Sequence, residues 1–204
     1  MRDNRFIRVG NEDRRRMVQL GLLPINRLQS DYIKTGLDHI SSDLWNIFQR
    51  EPYNLYYTRN KTEDIFLVHH ERVSVIKHIN PKGKIEHTGI YFGFIRNNEF
   101  YLGLEGAEFI YFDLKLNKEK NFQLKKIVVN RAAEKSFLYG NTLHHSDFVN
   151  SPQQLNRKDV IFVLNTRNQL IGIGYIYKPY KSVPGAKLEL RNLVDYGYYI
   201  RRGY

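Results

Sequence analysis

The sequence predicts an α+β chain, with a helix and paired strands in its first part and a small closed or nearly closed barrel in its last eighty or so residues. Three observations predict it. A 3.6-residue apolar rhythm runs from Ile33 to Phe48, two aromatic-rich runs flank the turn Arg96-Asn97-Asn98-Glu99, and after residue 123 short strand patterns surround one short helix. The charge divides at the same place. Residues 27–123 hold 13 basic and 13 acidic side chains. Residues 124–204 hold 13 Lys and Arg against Glu134, Asp147, Asp159, Glu189 and Asp195, so they carry +8 of the chain's total of +11.

Taken in order, residues 1–26 are Arg-rich, carry Gly10, Gly21 and Pro24, and read as a basic N-terminal extension. A helix is expected over 31–50: Ile33, Leu37, Ile40, Leu44, Ile47 and Phe48 keep one face apolar, Ser30 can cap the start, and Pro52 stops continuation. Strands follow at Tyr53–Thr58 and Ile65–Val68 across a polar turn, then a short helix over Glu71–Ile79 that Asn80-Pro81-Lys82-Gly83 ends. Gly89–Ile95 and Phe100–Leu104 form a hairpin, because Asn tolerates the left-handed backbone that its turn requires. Another helix runs from Glu105 to about Tyr111. Beyond 123, Ile127–Val129 is a strand, and Arg131–Tyr139 is a helix capped by Asn130 and ended by Gly140. Val160–Leu164 pairs with Leu170–Tyr177, and Leu188–Val194 and Tyr198–Arg201 complete the short strands.

The length of 204 residues, with 42% hydrophobic side chains, is enough for a packed core. The absence of cysteine removes disulfide frameworks, thiolate metal sites and cysteine nucleophiles. No apolar run approaches the ~18–20 residues of a membrane span, and Met1-Arg-Asp-Asn-Arg5 is not followed by a signal-type apolar core. Those features predict an intracellular, cytoplasmic protein with no membrane partner. His69-His70 and His144-His145 are adjacent pairs that a strand would point to opposite faces, and no histidines have HExxH spacing, so no metal is expected. Gly172-Ile173-Gly174 lies inside a strand pattern without a following helix, which argues for a bulge or close backbone approach rather than a phosphate loop. Ser136 is not in a nucleophile elbow, and no carboxylate pair stands out, so the chain reads as non-enzymatic and without a cofactor.

The basic residues carry the stronger signal. Lys178, Lys181 and Lys187 fall in or beside a loop containing Pro179, Pro184 and Gly185, with Tyr175, Tyr177 and Tyr180 between them. Tyr196, Tyr198, Tyr199 and Tyr204 surround Arg201 and Arg202. Rings that stack on bases and cations that hold phosphates have this composition, and a polyanion, most simply RNA or DNA, is the natural partner. The competing reading is a solvated basic face with tyrosines serving as core or rim residues.

Ala133-Glu-Lys-Ser-Phe-Leu-Tyr-Gly-Asn141 closely resembles the signature that opens the C-terminal domain of the Nip-seven family of ribosome-assembly proteins. Leu170-Ile-Gly-Ile-Gly-Tyr175 is similar to that family's LGFG strand, Asp195-Tyr-Gly-Tyr-Tyr-Ile-Arg201 to its D-x-G-x-Y-[VL]-R ending, and Tyr91–Arg96 with Glu99–Leu102 to its FGKF hairpin. The resemblance covers the chain from about Arg27. It implies an N-terminal α/β domain with an antiparallel sheet over 27–123 and, over 124–204, a PUA barrel, the RNA-binding fold named after pseudouridine synthase and archaeosine transglycosylase. It further implies a non-enzymatic factor of large ribosomal subunit biogenesis that binds pre-ribosomal RNA or ribosomal RNA, with other assembly proteins as partners and a nucleolar location in a eukaryote. By the same resemblance, Lys135, Gly140 and Asn141 belong to the RNA surface, along with Lys178, Lys181, Lys187 and the terminal Arg201. The alternative within reach of the same fold is the RNA-targeting subunit of an RNA-modifying enzyme complex. A protein-interaction scaffold with an incidental basic face is the third.

Overall fold

The computed structural model describes residues 22–49, 52–59, 62–76, 89–116, 124–150, 154–178 and 188–202. They fall into two compact units: one runs to Asp38 and includes Ser42–Gly106, and the other holds His39–Ser41 and the chain from Ala107.

The first unit is an antiparallel sheet with strands in sequence order: β1 (Leu23–Pro24), β2 (Tyr53–Arg59), β3 (Glu63–His69), β4 (Ile90–Arg96) and β5 (Glu99–Leu102). The chain thus enters the sheet at Leu23, inside the stretch read as an extension, and Leu22 is in the core at 2% exposure. The central strand β3 buries Ile65 and Leu67 on one face and Phe66 and Val68 on the other. Such two-sided burial accounts for its continuous apolar run. The β4–β5 turn has positive φ at both Asn97 and Asn98, the geometry that matches the twist of the flanking strands.

The expected 31–50 helix is two helices, α1 (Arg27–Asp38) and α2 (Leu44–Phe48). Asn26, not Ser30, caps the first. The Asn26 side chain accepts from the Gln29 N–H at 2.9 Å, and the Gln29 side chain accepts from the Asn26 N–H at 2.9 Å. This reciprocal box starts the helix earlier than the apolar rhythm does. The break at 39–43 falls where Ser41, Ser42 and Asp43 offer the backbone local alternatives to helical bonds. Ile33, Leu37, Ile40, Leu44 and Ile47 are nevertheless all buried, so the apolar rhythm survives the break. The next helix, α3, spans His70–Ile76, and Asn80–Gly83 lies outside the described residues. The helix expected at 105–111 is longer, α4 (Leu104–Leu116).

The second unit contains β6 (Lys126–Val129), α5 (Arg131–Leu138), β7 (Leu143–His144), β8 (Phe148–Asn150), β9 (Val160–Leu164), β10 (Leu170–Lys178), β11 (Glu189–Asp195) and α6 (Gly197–Arg202). Its sheet runs β7-β11-β10-β9-β6-β8, with β6 and β9 parallel and the other pairs antiparallel. The two edge strands are joined by a single three-residue 3₁₀ turn, His145–Asp147, so the sheet curls until its edges approach and the barrel is nearly closed. Ile127, Val129, Ile161, Val163, Ile171, Ile176 and Leu190 fill it, together with Ala133 and Phe137 of α5. Tyr198–Arg201, expected as a strand, is part of the helix α6. Its aromatic and β-branched residues suit a strand, but the contacts of Arg201 require helical spacing.

Gly172 and Gly174 lie at register shifts of β10. Gly172 has φ +150, and a Cβ there would sit 2.4 Å from the Val194 carbonyl oxygen. The pair is therefore the bulge and close approach that the strand context predicts.

Candidate nucleic-acid interface

Helix α5 is a short amphipathic plug. Asn130 caps it by accepting from the Ala133 N–H at 2.9 Å, and Ala133 and Phe137, one turn apart, face the barrel core at 2% and 0% exposure. Its C-terminal turn carries three of the predicted RNA-surface residues. Lys135 is exposed on the helix, Gly140 adopts φ +84, and Asn141 donates from its side chain to the Ser136 hydroxyl at 3.2 Å. The Gly140 N–H bonds to the Phe137 carbonyl at 2.8 Å, the left-handed ending expected of a helix stopped by glycine.

A buried carboxylate holds this turn in place. Asp195, 0% exposed at the end of β11, accepts from Arg201 Nη1 at 3.1 Å and Nη2 at 2.9 Å. Arg201 Nη1 also donates to the Leu138 carbonyl, and Asn192 Nδ2 bridges the Phe137 carbonyl at 2.8 Å and Asp195 Oδ2 at 2.9 Å. The Leu138 carbonyl at the helix end is thus satisfied by a side chain of the neighbouring helix, and the Phe137 carbonyl, already bonded to the Gly140 N–H, gains a second partner from the neighbouring strand. The Asp195 hydrogen bond raises the pKa of Arg201, so its charge is permanent. Gly140 lies against that guanidinium, with a Cβ position 3.3 Å from Arg201 Nη2. The structure therefore brings Gly140, Asn141 and Arg201 together, and gives Arg201 the task of anchoring the turn. Arg202 ends α6, and Lys181 and Lys187 lie outside the described residues.

A second cluster forms around Tyr177 of β10. The Arg191 guanidinium lies 3.3 Å from the centre of its ring, Arg157 5.8 Å and Lys178 5.9 Å. Arg191 also donates to the Tyr175 hydroxyl, which raises its pKa further. Cation–ring stacking and the phenol fix the orientation of that guanidinium. Lys178 pairs with Glu189 across the β10–β11 ladder at 2.7 Å. This contact, foremost as a hydrogen bond, holds the Glu189 carboxyl below its ordinary value of 4.5. A lowered carboxylate stabilises the fold above its ordinary value and loses that contribution as the pH falls through the folded value. Glu189→Gln should accordingly lower the melting temperature at neutral pH, with the difference from the wild type vanishing near pH ~3 in thermal scans. Arg157 and Arg191 escape a reading of the sequence. Arg191 had a signal, its outward position in the Leu188–Val194 alternation; Arg157 had none, since only the fold brings its loop to β10.

The histidine pair His69-His70 differs from expectation. The rings stack 4.7 Å apart instead of pointing to opposite faces, because His69 ends β3 and His70 begins α3, where strand alternation stops. Among the described residues no group of His, Asp and Glu is placed to hold a metal ion, and no helix is long and apolar enough to cross a membrane.

The sequence profile described as the UPF0113 PUA domain matches residues 125–204. No curated protein matches the chain. Among solved structures, a hypothetical protein from the hyperthermophilic archaeon Pyrococcus horikoshii OT3 is similar with a TM-score of 0.53 at 12% identity, covering 88% of this chain and 98% of that one. A conserved PUA domain protein from Thermoplasma acidophilum gives 0.51 at 13%, covering 90% and 99%. A PUA domain from Aeropyrum pernix K1, in a tartrate complex, gives 0.54 at 14%, covering 88% of both chains. At these identities the likeness is one of fold, and it extends over both units of the chain.

Proposed function

We propose that this protein, whose residues 125–204 match a PUA domain, is a non-enzymatic RNA-binding factor in large ribosomal subunit biogenesis, with pre-ribosomal or ribosomal RNA as its ligand and other assembly proteins as partners. PUA domains are in general RNA-binding modules. The observation that carries the reading is the gathering of Arg157, Lys178 and Arg191 around Tyr177 within that domain. One carboxylate, Glu189, answers Lys178, and the excess of guanidinium charge there suits a phosphate backbone. The ribosomal assignment draws on the Nip-seven-like motifs at 133–141, 170–175 and 195–201. A cytoplasmic location, or a nucleolar one in a eukaryote, goes with that role.

Titration of the whole protein with fragments of large-subunit RNA at two salt concentrations tests it. With the three phosphate contacts of this cluster to single-stranded RNA, log K should fall by at least about 2 per decade of salt. No binding at the lower salt overturns the RNA assignment. Binding to RNA without co-sedimentation with large-subunit precursors in lysate gradients overturns the ribosomal one.

A further inference from the structure

We propose that Tyr139 is a stacking platform for one unpaired base of the bound RNA, with Lys135 and Arg131 holding the adjoining phosphates along helix α5. The proposal rests on the RNA-binding reading and adds to it the class of RNA recognised. Its first support is exposure. Tyr139 is 72% exposed, whereas Tyr56, Tyr57 and Tyr111 are buried.

The second support is the pattern on α5. Arg131, Lys135 and Tyr139 recur every four residues, all exposed, on the side of the helix opposite Ala133 and Phe137. The Tyr139 N–H still bonds to the Lys135 carbonyl at 3.1 Å, so the ring belongs to this stripe. Successive members stand about 6 Å apart along the axis. Two cations leading to a ring match a strand whose phosphates track the helix and whose next base meets the ring face.

The third support is rigidity. The backbone beneath Tyr139 is held by the Gly140 N–H on the Phe137 carbonyl, by the Asn141 N–H on the Ser136 carbonyl at 3.2 Å, by Asn192 on Phe137 and by Arg201 on Leu138. An ion pair with one partner fully buried is expensive to desolvate. Here it fixes the position of an exposed ring, which lowers the ordering cost of binding. A fully paired duplex keeps its base faces covered by neighbouring bases, so the ring selects an unpaired nucleotide. The adjacent cations favour nucleic acid over an apolar protein patch.

The test compares wild type, Tyr139→Ala and Tyr139→Phe, each as the full chain, on two RNAs of equal length: a hairpin with an open loop and a blunt duplex. Tyr139→Ala should weaken hairpin binding roughly 5- to 150-fold, the loss of one base–ring stack, and leave duplex binding and the salt slope unchanged. Tyr139→Phe should bind like the wild type, while Lys135→Ala should reduce the salt slope by about 0.7. Wild-type affinity in Tyr139→Ala overturns the stacking role and leaves RNA binding standing. Equal losses on hairpin and duplex, or equal losses in the Ala and Phe variants, also overturn it. Absence of RNA binding by the wild type overturns both readings.

Discussion

Arg201→Met is expected to destabilise the C-terminal unit by about 3 kcal/mol, the largest stability effect of any single change at the interface. It would leave the carboxylate of Asp195, 0% exposed, with Asn192 as its remaining side-chain partner among the described residues, and would remove the Arg201 bond to the Leu138 carbonyl. The figure sits at the lower end for a broken buried pair because the Arg201 side chain is itself 30% exposed and partly solvated in the wild type. Asp195→Asn should cost less, since an arginine freed at that exposure can turn to water. The double variant should recover part of the loss, because it removes the uncompensated charge, and a double-mutant cycle gives the coupling directly. Trp45, the single tryptophan, belongs to the first unit, so the readout is placed in the second. Hydrogen exchange of the amides of α5 and β11 reports it. Equal protection in wild type and Arg201→Met would show that the pair does not hold the turn.

The largest expected effect on the salt dependence of binding belongs to the triple variant Arg157→Ala/Lys178→Ala/Arg191→Ala. Each lost phosphate contact costs about 0.7 in the slope of log K against log salt for single strands. Three lost contacts lower that slope by about 2, and at 0.15 M salt they reduce affinity roughly 50-fold. The fold should tolerate the change, because all three side chains lie on the surface around Tyr177 and the barrel core is untouched. Filter binding at several salt concentrations measures both quantities. A variant that keeps the wild-type slope would place the phosphate contacts elsewhere on the chain.

Where structure is dictated by near neighbours, it was legible. Asn97 and Asn98 announce their hairpin because few other residues accept two positive φ values in succession. Asn130 announces the start of α5, and Gly140 its end. Gly172 and Gly174 within an apolar strand announce a bulge. The same local rules misplaced the start of α1, where the Asn26–Gln29 box outranks the apolar rhythm.

Tyr198–Arg201 shows why the rest was not legible. An extended segment would hold residues 195 and 201 about 20 Å apart, too far for any arginine to reach back. A helix from Gly197 folds Arg201 onto Asp195 and the Leu138 carbonyl, and that long-range gain overrides the strand propensity of Tyr198, Tyr199 and Ile200.

The candidate site divides the same way. The basic excess after residue 123, Lys178 beside Tyr177, and the Lys135–Asn141 turn are written in consecutive residues and in motif resemblance. Their assembly is not. Arg157 and Arg191 stand far apart in the chain, and they meet over Tyr177 because β10 pairs with β9 on one side and with β11 on the other. Arg201, read from its charge as a phosphate contact, anchors the turn that presents Tyr139 because a buried carboxylate captures it. Charge, caps and turns act over a few residues and can be read from them. Which cation is left to face a ligand depends on which one the fold uses to satisfy a buried charge, and that is settled when the strands pair and the barrel closes.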